Sequence, residues 1–382
     1  MLMARLISKT EPLKRHANKR IVASVHYPTR LRFGLLRLCV LFLALPLMWA
    51  CSGATYLFHA AIGQYERIAD AVPIQDALKD PSLGDQESAH LNMIGPLKQF
   101  AVERLGLKPT ESYSTVCLKP QSSFIYTVSA SPKDLLSRVT WWFPVVGRVP
   151  YLGFFDLTEA RAKGKSLAKE GMDVFISRAE AYSTLGWFND PLTLNMLEGS
   201  TVEFVETVLH EMTHSTLYLS SQPQFNETLA SVVAKHGTIL FLQAKFGENH
   251  PWTIEAKQEL EDERTFSSFL SSVVENLETL YAESITYEEK MARRAIAFTD
   301  AKRTFELQAD RYLTHRFDAF PQMDLNNAAV LALALYHRYF NDLEAVLCEN
   351  RNSIPETIAY FRKLSKTEPD MIKTLKKARA AE

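Results

Sequence analysis

The stretch STVEFVETVLHEMTHSTLYLSSQPQFNETLASVVAKHG, Ser200 to Gly237, decides how this chain is read. Ser200 and Glu203 stand in a Ser-x-x-Glu pattern, the reciprocal cap that starts a helix. Val202, Val205, Leu209, Met212 and Thr216 then recur every three or four residues, the spacing of a buried helical face. His210 and His214 are one turn apart, so their rings leave the same side of the helix.

Two imidazoles so placed can bind one Zn²⁺. Glu211 follows the first of them, about 100° round the helix, where it reaches a water on the metal rather than the metal. This is the spacing of His-Glu-x-x-His metallopeptidases. Residues 220–225 (SSQPQF) read as a turn, and a second helix runs on from Asn226. Such an antiparallel hairpin brings the end of the first helix to the start of the second. Glu227 can therefore complete a His₂Glu site with water in the fourth position, one zinc per chain. In that chemistry Glu211 takes the water proton and delivers it to the leaving amine. A second electrophile must face the tetrahedral intermediate, and Tyr336, His337 and Tyr182 are the candidates, with Tyr336 the one we assign. His236 lies roughly 90° off the face of Glu227 and reads as structural.

The rest of the chain bounds the answer. Its 382 residues are 47% hydrophobic and 23% charged with a formal net charge of -1, a globular balance. No basic face or basic excess marks a nucleic-acid partner. Residues 1–37 are rich in Lys and Arg, and an uncharged run, Leu38 to Ala50, ends at Cys51. That order describes an export signal, and Ala50-Cys51 has the form of a lipoprotein signal with Cys51 as the lipidation site. The alternative is an uncleaved anchor, because Leu38 to Phe58 is long enough to span a bilayer as a helix. Either reading places the protein at a bacterial cell envelope, held to the membrane through Cys51 or the N-terminal helix. It would face the periplasm, on the outer rather than the inner membrane. Cys117 and Cys348 are left in the folded part, where sequence does not decide whether they pair.

Helical patterns cover 54–80, broken at Pro73, and about 87–105, ending at Gly106. Residues 110–190 hold aromatics, Val, Thr and turn residues, read as four or five short strands with a helix near 157–170. From 200 onward the pattern is helical: one or two long helices over Glu255–Arg294, an apolar one over Asn326–Phe340, and a basic tail from Lys363 expected to fray. The fold class is α+β, a small mixed β-containing N-terminal part followed by a mostly helical part. We divide the chain into 1–51 (signal), 52–199 (substrate side) and 200–382 (helical zinc-binding region), the last two able to form one continuous domain.

At these residues the chain resembles a family of bacterial aminopeptidases that are zinc lipoproteins. The blocks that carry the resemblance are WWFPVVGRVPYLGFFD (141–156), AYSTLGWFNDPL (181–192), LHEMTHSTLYL (209–219), FNETLA (225–230) and NNAAVLALALYH (326–337), with GQYERI after Cys51. The resemblance implies a zinc-dependent aminopeptidase acting on peptides. In the wider class of zinc peptidases with an Asn-Glu third ligand, an Asp four residues on can brace a zinc-binding His; Ser231 stands there in this chain. An extended segment upstream of the zinc helix pairs with substrate in related peptidases, which points to residues 181–188, with Tyr182 and Gly186 as substrate-binding candidates. No acidic anchor for a substrate α-amine is evident in the sequence. A non-catalytic envelope lipoprotein that keeps zinc as a brace and binds a partner is the alternative function.

Overall fold

Pro73 interrupts the first helical stretch because it has no N–H to continue the ladder. Residues 65–69 are helical, the chain then enters strand β1 (Val72–Pro73), and helix α1 (Ile74–Ala77) follows. The computed structural model describes Gly63 and residues 65–119, 125–143, 146–179 and 189–379, all of them within one compact unit, Leu57–Glu382. The signal segment, Cys51, Tyr182 and Gly186 lie outside the described residues. Among the described residues no helix is long and apolar enough to cross a membrane.

Helix α2 (Asp85–Glu103) packs Leu91, Ile94, Leu97 and Ala101 into the main core, and the chain turns away at Gly106 with φ +66°. The β-containing part has more strands than the sequence suggests: β2 (Thr115–Cys117), β3 (Ile125–Ser131), β4 (Trp141–Phe143), β5 (Gly147–Val149), β6 (Leu152–Phe154) and β7 (Asp173–Ala179), with helix α3 (Leu157–Lys169) before β7. Several have only three residues, too few for alternation to register in the sequence. An antiparallel sheet in the order β6-β3-β7 pairs Val128 with Leu152 and Ile176, and α3 covers it through Ala160 and Leu167. β4 and β5 form a separate hairpin. A third sheet joins β1 antiparallel to β2 and β2 parallel to β8 (Leu192–Thr193), which runs straight into helix α4 (Leu194–Glu198).

The helical part begins with α5 (Thr201–Thr216), and the reciprocal cap is present: Glu203 N–H donates to Ser200 Oγ and Ser200 N–H to the Glu203 carboxylate. The predicted stripe is buried from Val202 to Met212, but so are Phe204, Val208 and Thr213 on other faces. α5 is thus a central helix, wrapped on most sides. Its main partner is α6 (Pro223–Phe246), which starts three residues before the expected Asn226 because Pro223 fits the first helical turn. Gly237 on α6 lets Leu209 and Leu105 come close: an added Cβ there would lie 2.9 and 2.8 Å from their Cδ1 atoms.

The long charged segment divides into α7 (Pro251–Ala282) and α8 (Tyr287–Leu307), which hold a second core with Phe266, Phe305 and Phe320. α9 (Asn327–His337), α10 (Phe340–Glu349), α11 (Ile354–Leu364) and α12 (Met371–Arg379) close the fold. The basic tail does not fray as expected. Met371 is fully buried and Leu375, one turn on, nearly so, and this apolar pair docks the last helix on the main core. Cys117 is buried on β2 and Cys348 exposed on α10, and both are free. His236 is structural here: its Nε2 lies 2.7 Å from Glu344 on α10, which also receives Arg264 of α7 at 2.7 Å.

Burial would raise the pKa of Glu344, but hydrogen bonds from His236 and Arg264 outweigh it and hold it at about 2, from an ordinary 4.5. A carboxylate depressed in this way stabilises the fold above pH 4.5, and the contribution is lost as pH falls through about 2. Glu344→Ala is therefore expected to cost on the order of 3 kcal/mol at neutral pH. Denaturant unfolding of both proteins at pH 7 and pH 3 checks it: the gap between them should be narrower at pH 3.

Candidate metal centre

The last turn of α5 and the first turns of α6 meet across the link 217–222, and one side chain ties the link. Leu219 N–H donates to Asn226 Oδ1 at 2.9 Å, and Asn226 Nδ2 donates to Leu219 C=O at 2.8 Å. Asn226 is buried, so both bonds form away from water, where they are worth most. This clasp sets the entry of α6 and hence the next residue, Glu227. Met212 C=O accepts from Thr216 Oγ1, which also accepts from Lys108 N–H, so the end of α5 is held as well.

His210, His214 and Glu227 form the group of side chains, among the described residues, that could hold a metal ion. His210 Nε2 lies 3.2 Å from Glu227 Oε2, His214 Nε2 lies 3.1 Å from His210 Nε2, and His214 Nε2 lies 3.4 Å from Glu227 Oε2. A tetrahedral ion with bonds of about 2.0–2.2 Å has ligand-to-ligand edges of roughly 3.3–3.6 Å. The three atoms therefore make a triangle close in size to one face of such a shell. Two neutral imidazoles and a carboxylate also match the donor set of a borderline cation.

The electrostatics divide the two carboxylates. Burial would raise the pKa of Glu227, but the charge of His214 and the hydrogen bonds from both histidines outweigh it and hold it well below the usual range. Glu211 is raised, first by burial and then by the charges of Glu227 and Asp190, against the pull of His214 and His210. One carboxylate is thus held as an anion for coordination, and the other has the higher proton affinity of a base. Burial opposes a charge on His214, yet the Glu227 carboxylate raises its pKa. His214 Nδ1 is buried with no hydrogen-bond partner among the described residues. Ser231 does not brace either histidine; its hydroxyl donates to Glu227 C=O.

Tyr336 is brought to the centre, with its ring centroid 6.2 Å from that of His210. Burial first, and then the charges of Glu227 and Glu211, push its phenol well above 10, so it stays a hydrogen-bond donor. Gln224, on the first turn of α6, fixes it there by donating to Ala334 C=O at 2.6 Å and Leu335 C=O at 2.9 Å. Arg138 in turn donates to Gln224 Oε1 and to Leu331 C=O. His337 points elsewhere, with Nδ1 2.5 Å from buried Glu263.

The roles of Asn226, Gln224, Arg138 and Tyr113 were not legible in the sequence. Tyr113 is buried with φ +63°, a left-handed conformation disfavoured for a bulky side chain, and its N–H donates to Asp190 C=O at 2.7 Å. Burial and then the charges of Glu211 and Asp190 raise its pKa, so it stays protonated. Only the positive φ could have drawn attention to it, and sequence does not reveal φ.

Taken together, the fold and site define an α+β protein whose central helical hairpin converges two histidines and a glutamate on one point. The family described as "Putative aminopeptidase" matches residues 55–375, and the chain belongs to that family. No curated protein and no solved structure matches the chain.

Asn226→Ala should cost about 2 kcal/mol by leaving the Leu219 groups unpaired, and it should weaken metal binding by releasing the turn that aims Glu227. Thermal unfolding with and without added Zn²⁺ separates the effects. The wild type should gain several degrees on metal addition, and Asn226→Ala less. Glu227→Ala should gain almost nothing.

Proposed function

We propose that this chain is a zinc-dependent peptidase of the bacterial cell envelope, an aminopeptidase in the first instance. It would be tethered to the membrane through Cys51 or the N-terminal helix and would act on peptides. The observation that carries the reading is the triangle of His210 Nε2, His214 Nε2 and Glu227 Oε2, with the raised carboxylate of Glu211 one residue from the first ligand. Three converging donors among the described residues leave a fourth position for water or substrate, as a catalytic rather than a structural zinc requires.

A zinc ion held by these three side chains would supply Lewis acidity, acidifying a water and polarising the scissile carbonyl. The remaining chemistry belongs to the protein. Glu211, kept basic by burial, takes the proton of the attacking water and returns it to the leaving amine. The Tyr336 hydroxyl, kept protonated by burial and by two nearby carboxylates, donates to the carbonyl oxygen as negative charge develops there. Asn226 and Gln224 hold the ligand and the donor at fixed separation, so little reorganisation accompanies the reaction.

Two variants test this assignment on a peptide library with the zinc-loaded protein. Glu211→Gln should lower kcat by about 10³-fold or more while metal content stays near one zinc per chain. Tyr336→Phe should lower kcat roughly 10- to 100-fold with little change in KM. Full hydrolysis by Glu211→Gln, or a folded wild type that takes up no zinc after reloading, would remove the peptidase reading. Intact cellular function of Glu211→Gln would favour the partner-binding lipoprotein instead.

A further inference from the structure

Tyr336 stands on the last turn of α9, where a helix leaves its final carbonyls without partners of its own. A group from outside must satisfy them if the turn is to hold still. Gln224 of α6 supplies it, with Nε2 donating to Ala334 C=O at 2.6 Å and to Leu335 C=O at 2.9 Å. Gln224 is three residues before Glu227. One side chain therefore ties the turn that bears the phenol to the turn that bears the metal ligand.

An amide can do this in one orientation only. Its oxygen accepts and its nitrogen donates, and a half-turn about the last bond exchanges the two with almost no change in shape. Turned round, Gln224 would set an oxygen against two carbonyl oxygens. Thr228, 3.5 Å from Nε2, has a hydroxyl that serves either end of the amide. Arg138 is selective. Its guanidinium has donors alone, and Nη2 donates to Gln224 Oε1 at 2.7 Å and to Leu331 C=O at 3.0 Å. Oε1 is thereby committed to Arg138, which leaves Nε2 for the end of α9.

Arg138 comes from the β-containing part and is itself held in place. Val139 N–H donates to Ala130 C=O at 2.9 Å, which pins the neighbouring residue to β3. The same segment holds the start of α9, since Asn327 Nδ2 donates to Pro132 C=O at 2.9 Å. Arg294, Arg316 and Arg338 each reach a carboxylate, whereas Arg138 forms no ion pair among the described residues. Burial lowers its pKa from 12.5 to about 10, so it stays charged at neutral pH. Its donors serve the two helices rather than a counter-ion.

We propose that Arg138 is a positioning residue of this site, holding the Gln224 amide in the orientation that caps α9 and so fixing the Tyr336 phenol beside His210. The proposal rests on the reading of Tyr336 as the donor to the developing oxyanion. It gives the β-containing part a share in the chemistry: that part supplies the guanidinium, while the helices supply the ligands and the phenol.

The test is a double-mutant cycle on the zinc-loaded full chain, with Tyr336→Phe as the second change. Arg138→Met keeps an apolar stem and removes the donors. It should lower kcat by roughly tenfold while KM and zinc content stay near the wild-type values. In the Tyr336→Phe protein the same change should alter kcat by less than about twofold, because the group it positions is gone. Arg138→Lys, which can still donate to Oε1, should recover part of the loss. Gln224→Glu keeps an acceptor for Arg138 but has no donor for α9, and it should behave like Arg138→Met. If Arg138→Met does not fold, Gln224→Glu decides. A second readout needs no turnover. In protein labelled with fluorotyrosine, the fluorine resonance that Tyr336→Phe lacks belongs to Tyr336, and it should shift or broaden in both variants. An unchanged Tyr336 resonance in the folded variants, or an equal loss of kcat with and without the Tyr336 hydroxyl, overturns the proposal. A displaced resonance in a protein whose wild type hydrolyses no peptide would count against the peptidase reading while leaving the positioning role standing.

Discussion

The rest of the site hangs on the clasp between Asn226 and the backbone of Leu219. Two antiparallel helices joined by a short link can pack in several rotations about their axes, and hydrophobic contact alone does not choose among them. A side-chain amide that satisfies both a donor and an acceptor of the link removes most of that freedom. Once it is set, Glu227 arrives opposite the two histidine rings without any further device. Gly237 then admits Leu209 and Leu105 against α6 about three turns beyond Asn226, so the two helices stay close along the contact.

Anions are crowded into this region, and the fold handles them differently according to use. Glu206 and Glu259 share Lys235 and Arg316, and Glu344 shares His236 and Arg264. Each of these carboxylates is paired in the way a buried charge requires. Glu211 forms no ion pair among the described residues, and burial, with the charges of Glu227 and Asp190, raises its proton affinity against the pull of His214 and His210. Structural charges are neutralised in pairs; the candidate base is buried without an ion pair, so its proton affinity stays raised, as a group that must accept a proton requires.

Much of the site was legible because its parts are close in sequence. The Ser200–Glu203 cap, the one-turn spacing of His210 and His214, and Glu227 just past a Pro-containing turn are all local, and helical geometry turns such spacing directly into direction. Tyr336 was reached by residue type and by a block of family resemblance rather than by geometry. Its placement depends on Gln224 bonding to carbonyls more than a hundred residues away in sequence. Tyr113 depends on a backbone angle and on Asp190, and neither leaves a periodic trace. The three-residue strands were undercounted, and the basic tail was expected to fray because its charges outnumber the two residues that anchor it.

By itself, then, the sequence determined the helical hairpin, the face from which its ligands project, and the α+β class, because each follows from contacts within a few turns of chain. Only the tertiary structure decided what surrounds that hairpin. It chose that Tyr336 lies against His210 and which buried carboxylates are paired with cations. Those features come from α2, α7, α9 and the segment 309–322 converging on α5 and α6. Contacts of that kind depend on packing among distant segments, which a linear pattern of residue types does not specify.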